Sequence, residues 1–157
     1  TAPEDTLIVV TADHGHTLTI GGYPRRGNPI LGKVRVHHPE GDPNGLLMPD
    51  ASGVPFTTLA YANGPGHVAQ SATQPAGAKR YPHRPGRLPG SAAARPDLAD
   101  VDTTAPDYLQ EGAVPLGSET HGGEDVPLYA SGPGSQWLTG VLEQHVLFHA
   151  VREALRL

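Results

Sequence analysis

The chain has 157 residues, a net charge of −5, no cysteine, 20 glycines and 17 prolines, with 37% hydrophobic and 5% aromatic residues. No basic run extends beyond Arg25-Arg26 or Lys79-Arg80, so a nucleic-acid partner, which needs a positive face, is not favoured. Without cysteine there are neither disulfides nor thiolate zinc sites, and no apolar run reaches the length of a membrane-spanning helix.

The elements read as follows in chain order. Thr1-Ala-Pro-Glu-Asp5 shows neither an initiating methionine nor a leader. The chain then enters a core-type strand at once, which reads as a piece of a longer protein. Residues 6–12 are a near-continuous aliphatic and β-branched run, the pattern of a central strand buried on both faces. Residues 17–20 predict a short alternating strand before Gly21-Gly22. Residues 21–53, broken by repeated Pro and Gly, predict loop with one short strand at Lys33–Val36. Residues 55–62 predict a strand stopped by Asn63-Gly64-Pro65-Gly66. Residues 67–115 are the least structured part. Their Gln74–Pro96 stretch reads as a surface insertion or mobile loop. Glu124–Ser131 predicts a strand in which Pro127 points to an edge or a bulge. The C-terminus predicts an amphipathic helix from about Leu138 onward, with Ser135 as its N-cap.

Apolar residues concentrate in 6–20, 54–62 and 126–157. That spread predicts a partial core: two well-made ends of a fold joined by surface excursions. The division is 1–66 (central strand, metal-binding turn, following strand and loops), 67–115 (loop-rich insertion) and 116–157 (metal-ligand loop, strand, helix), all of one incomplete α/β domain.

Two clusters carry chemistry. Thr11-Ala-Asp-His-Gly-His-Thr17 follows the apolar run directly, so Asp13, His14 and His16 sit at a strand tip, where α/β sheets present ligands. Carboxylate and imidazole are the zinc ligands available when thiolates are not. The second cluster is Glu119-Thr-His-Gly-Gly-Glu-Asp125, whose His121 is followed by two glycines that permit close backbone approach. Local sequence leaves blander roles open. Asp13 suits a turn cap, and His14, His16 and His121 suit loop histidines with satisfied hydrogen bonds. Glu119, Glu124 and Asp125 read as structural or solvated, with Glu119 the one nearest any metal. His37, His38, His67 and His83 read as surface residues. His145 and His149, at i and i+4, lack the intervening glutamate of the zincin pattern and read as solvated or packing residues.

The run Thr6–His16 resembles the strand and metal-binding turn of alkaline phosphatases. The resemblance continues through Gly21-Gly22-Tyr23 with Arg26-Gly27-Asn28, Thr57–Gly66, Ser118–Val126, Ser131-Gly-Pro133, Gly140–Gln144 and the terminal helix. These blocks occur in family order, over almost the whole chain, and correspond to the C-terminal portion of the family only.

The resemblance implies an α/β/α sandwich with a Pro/Gly-rich surface insertion. It implies phosphate monoester hydrolysis by two zinc ions and a phosphoserine intermediate. Asp13 and His14 would ligate one zinc and His121 the other, while His16 orients a ligand. The nucleophilic serine, the remaining zinc ligands, the Mg2+ ligands and the phosphate-binding arginine would lie upstream. Ser71, Ser118 and Arg25 are not reassigned to those roles, so the chain holds no catalytic nucleophile by this reading. A homodimer and a periplasmic or extracellular setting are implied likewise. The alternatives are a sister metal-dependent hydrolase or mutase of the same superfamily, and a truncated, non-catalytic fragment.

Overall fold

A computed structural model describes residues 4–37, 41, 44–83 and 95–157. It is a mixed, sheet-dominated α/β structure made of two compact units, Thr1–Gly15 with Gly123–Leu157, and His16–Gly122.

In the first unit, β1 (Ile8–Val10) pairs antiparallel with β9 (Tyr129–Ser131), Val9 opposite Ala130. Thr11 Oγ1 donates to the Pro127 carbonyl at 3.0 Å, which prolongs the contact beyond the ladder. Both strands are shorter than the sequence predicts, and the burial differs. Ile8 and Val10, which share one face of β1, are 44% and 59% exposed. β9 is the only strand paired with β1 among the described residues, so these side chains have a ladder on one side and little packed over them.

The turn after β9 needs glycine. Gly132 has φ +94°, and a Cβ there would lie 2.0 Å from the Thr6 carbonyl oxygen.

The helix begins later than predicted. A 3₁₀ turn (Ser135–Trp137) is capped by Gly134 rather than by Ser135, and α1 spans Val146–Ala154. Gly140, at φ +79°, interrupts the apolar period between them, because left-handed backbone cannot continue an α-helix. Leu138 and Ala150 are buried, whereas Phe148 and Leu155 are exposed.

The second unit is built on β5 (Leu59–Gly64). It pairs antiparallel with β2 (Leu18–Ile20) and parallel with β8 (Gly112–Pro115), in the order β2-β5-β8. Two small antiparallel ladders accompany it: β3 (Arg35–Val36) with β4 (Leu46–Leu47), and β6 (Lys79–Arg80) with β7 (Tyr108–Leu109). Strands β4, β6, β7 and β8 lie where the sequence predicts loop. Strands β4, β6 and β7 have two residues each, too short to show a period, and the four-residue β8 is bounded by Gly112 and Pro115, which read as loop. Residues 84–94 of the predicted insertion, and His38, lie outside the described residues.

Val34, Leu59, Leu98 and Tyr108 form the unit's buried apolar set. Polar groups hold the loops around it. Lys79, 1% exposed, donates to the carbonyls of Val68, Pro75 and Gly77 at 2.7–3.0 Å. Lys33 does the same for Leu98, Ala99 and Val101 at 2.7–2.9 Å. Arg95 bridges Asp50 and Glu111.

His67 and His83, read from sequence as surface residues, are half-buried and buried, while His37 is exposed as predicted. His83 Nδ1 bonds Thr73 Oγ1 at 3.2 Å, and its Nε2 is buried with no hydrogen-bond partner among the described residues. Burial, then the Lys79 charge, pushes both pKa values below the ordinary histidine value.

Two outcomes follow from this packing. Lys79→Met leaves three loop carbonyls without their donor and is expected to cost roughly 3 kcal/mol, read by urea denaturation. Depressed histidines bind fewer protons folded than unfolded. Their contribution to stability is therefore complete above about pH 6.5 and is lost as pH falls through the folded-state values. Thermal melts from pH 8 to pH 5 should show the fall, and His83→Gln should flatten it.

Candidate metal centre

The turn after β1 places Asp13 and His14 in the first unit. Asp13 is exposed and His14 half-buried. The Asp13 carboxylate accepts from the His14 backbone N–H at 3.1 Å. His14 Nδ1 lies 3.0 Å from the Gly15 carbonyl oxygen. A carbonyl only accepts, so Nδ1 carries the proton and Nε2 is the nitrogen left to ligate. That Nε2 is 3.3 Å from Asp13 Oδ2.

A carboxylate and a neutral imidazole so placed present two lone pairs to each other, and only a proton or a cation between them removes the conflict. The separation is also the edge of a tetrahedron whose centre lies about 2 Å from each corner, the Zn–N and Zn–O distance. The donor set therefore fits zinc. The Glu124 side chain covers Gly15 of the same turn, and a Cβ there would lie 2.0 Å from Glu124 Oε1. From sequence Glu124 reads as structural or solvated, and no spacing signal marks this contact.

The second unit opens on His16 and closes just after His121. Their rings meet edge to face with centroids 5.5 Å apart, and a ring nitrogen of each lies within 4.8 Å of one on the other. Both rings are exposed. Two contacts bring them together, and both run through β5. On one side, Leu18 stands opposite Tyr61, and Ala62 N–H donates to the Thr17 carbonyl at 3.1 Å, which anchors the residue after His16. On the other side, Asn63 holds Thr120, the residue before His121. Asn63 Nδ2 donates to Thr120 Oγ1 at 2.9 Å, and Thr120 N–H donates to Asn63 Oδ1 at 2.8 Å.

Glu119 belongs to the same corner. A Cβ on Gly64 would lie 3.3 Å from its Cγ. Burial, then the Glu119 charge, raises the Tyr61 phenol above its ordinary range. In the sequence Asn63-Gly64 reads as a stop signal and the clamp is hidden, because an Asn-Gly pair looks like a turn. His145, just before α1, and His149, within it, meet edge to face at 6.2 Å.

The alkaline phosphatase family model matches residues 1–157. The chain is 38% identical to the tissue-nonspecific isozyme of alkaline phosphatase from Gallus gallus over 154 residues, 98% of this chain and 24% of that protein. It is 38% identical to an alkaline phosphatase of Gadus morhua, covering 98% of this chain and 26% of the relative. For the Homo sapiens tissue-nonspecific isozyme the identity is 36%, over 98% and 23%. The chain thus spans about a quarter of the length of the curated relatives it matches.

The His14 geometry yields a direct test. Nitrogen-15 NMR at neutral pH should find the neutral ring as the Nδ1–H tautomer. Titration with Zn2+ should move the Nε2 signal and leave Nδ1 protonated; a neutral Nε2–H form would refute the assignment.

Proposed function

Because this chain belongs to the alkaline phosphatase family, we propose that it supplies part of the two-zinc centre of a phosphate monoesterase acting through a phosphoserine intermediate. In this reading Asp13 and His14 hold one zinc, His121 is a ligand of the other, and His16 orients the His121 side of the centre. The observation that carries it is the His16–His121 pair: the two ends of one unit are brought to ring contact by a single strand. Paired metals neutralise charge on the attacking and leaving oxygens of a phosphoryl transfer.

The chain's own residues do more limited work. Asp13 supplies a negative oxygen that offsets the cation's charge. The His14 Nδ1–H bond to Gly15 fixes the ring so that Nε2 faces the carboxylate. The Asn63–Thr120 bonds hold the loop that presents His121. In the same reading the nucleophile, the Mg2+ ligands and the remaining zinc ligands are assigned to residues outside these 157. Covalent catalysis without its nucleophile loses the step that divides the reaction in two. The α/β/α sandwich with its surface insertion, homodimeric assembly and a periplasmic or extracellular setting belong to the same proposal. Among the described residues no helix is long and apolar enough to cross a membrane.

The test compares residues 1–157 alone with the same residues joined to the remainder of an alkaline phosphatase chain. The joined protein should bind zinc and turn over an aryl phosphate at alkaline pH; the 157 residues alone should not. In the joined protein Asp13→Ala, His14→Ala and His121→Ala should each lower kcat/KM on the order of 100-fold or more, the loss expected when a metal centre is disturbed. His145→Ala should leave it unchanged. Zinc-dependent turnover by residues 1–157 alone, surviving removal of host phosphatase, would show the nucleophile assignment to be wrong.

A further inference from the structure

The loop that carries His121 is exposed and rich in glycine. Gly117, Ser118, Thr120 and His121 are all exposed, and two glycines follow the histidine. Such a segment has little apolar packing to fix it, and exposed loops sit at the low end of local stability. Its fixation comes from the end of β5. Leu116 N–H donates to the Gly64 carbonyl at 3.3 Å, which is the last backbone contact before the loop leaves β8. Glu119 then packs its stem over Gly64, whose φ of +141° and missing Cβ make room for it. The next residue receives the Asn63 side chain through both of its polar atoms, at 2.9 and 2.8 Å.

A primary amide that donates and accepts at once mimics a strand's backbone. Asn63 therefore adds one side-chain rung to the sheet immediately before His121. The same strand, through Tyr61 and Ala62, anchors the segment that follows His16. The His16–His121 separation is thus set by four consecutive residues of β5.

We propose that Asn63 is a positioning residue for the metal centre: its two hydrogen bonds to Thr120 hold the loop that sets His121 beside His16. This rests on the reading that His121 is a metal ligand. Asn63 itself is not assigned to metal or substrate. Outer-shell hydrogen bonds of this kind are worth about 10–100-fold in metal affinity. A side chain that serves only the fold would lower stability and leave affinity of the folded protein untouched.

The experiment uses the complete protein that carries these residues. Its Zn2+ affinity is measured by competition with a chromophoric chelator, alongside thermal melting and amide hydrogen exchange. Asn63→Ala should weaken Zn2+ binding about 10–100-fold and speed exchange of the Thr120 amide. Thr120→Val keeps the backbone bond and loses the hydroxyl, so it should fall between wild type and Asn63→Ala; Thr120→Ser should bind as wild type. Should Asn63→Ala fail to fold, the Thr120 pair carries the test. His121→Ala separates the two claims. If His121→Ala weakens Zn2+ binding while Asn63→Ala and Thr120→Val do not, the positioning role is overturned and the ligand assignment stands. If His121→Ala leaves Zn2+ affinity unchanged, the metal reading itself fails.

Discussion

The second unit depends on β5. Its six residues pair with β2 on one side and β8 on the other, and its last two fix the loop before His121. Leu59–Tyr61 pair with β2, and Tyr61, Asn63 and Gly64 pair with β8, so the two ladders overlap at Tyr61 and each covers one half of the strand. The consequence is local precision without much apolar mass. Among the described residues the unit buries few large side chains, yet the positions of His16 and His121 are tied to one rigid line of backbone. A site carried on a strand is held more tightly than one carried on loops alone. Here the histidines sit in loops but borrow their register from the strand.

The first unit has a different character. β1 is made of Ile8, Val9 and Val10, residue types suited to a strand covered on both faces, and it pairs with β9 alone among the described residues. Its turn is nonetheless tightly determined. The bonds of Asp13 and His14 are made within three consecutive residues, so the geometry of this pair is written into the turn itself. The Asp13–His14 pair and the His16–His121 pair are thus specified by different means, one by local hydrogen bonding and one by sheet register.

This difference explains what the sequence revealed. The Asp13–His14 turn was legible because its residues are contiguous and follow an apolar run. The candidate ligand His121 was legible from its block, but its support was not. Asn63 lies 57 positions from Thr120, and nothing in an Asn-Gly-Pro-Gly string distinguishes a clamp from a turn. Strand β1 was visible from composition but not its exposure, since burial is decided by what packs against a strand. The helix is visible from its period, which sets its start near Leu138; Gly140, in left-handed backbone, moves the start to Val146. Lys79 and His83 were invisible as buried groups. A lysine among prolines and glycines looks solvated until three carbonyls are seen around its ammonium.

Lys79 and the Asp13–His14 turn also answer one electrostatic problem in opposite ways. Around Lys79 the chain gathers the carbonyls of Val68, Pro75 and Gly77, and satisfies them with a cation of its own. Lys33 repeats the arrangement with Leu98, Ala99 and Val101. At Asp13 and His14 the chain again sets electron-pair donors close together, at 3.3 Å, but the donors are a carboxylate and an imidazole. Carbonyls around an ammonium make a permanent structural fastening, since the lysine cannot leave. Carboxylate and imidazole suit an exchangeable cation of higher charge, whose binding depends on pH through the protonation of the donors. The first arrangement fastens loops within the fold; the second has the donor types of the proposed metal site, and the choice of donor distinguishes them.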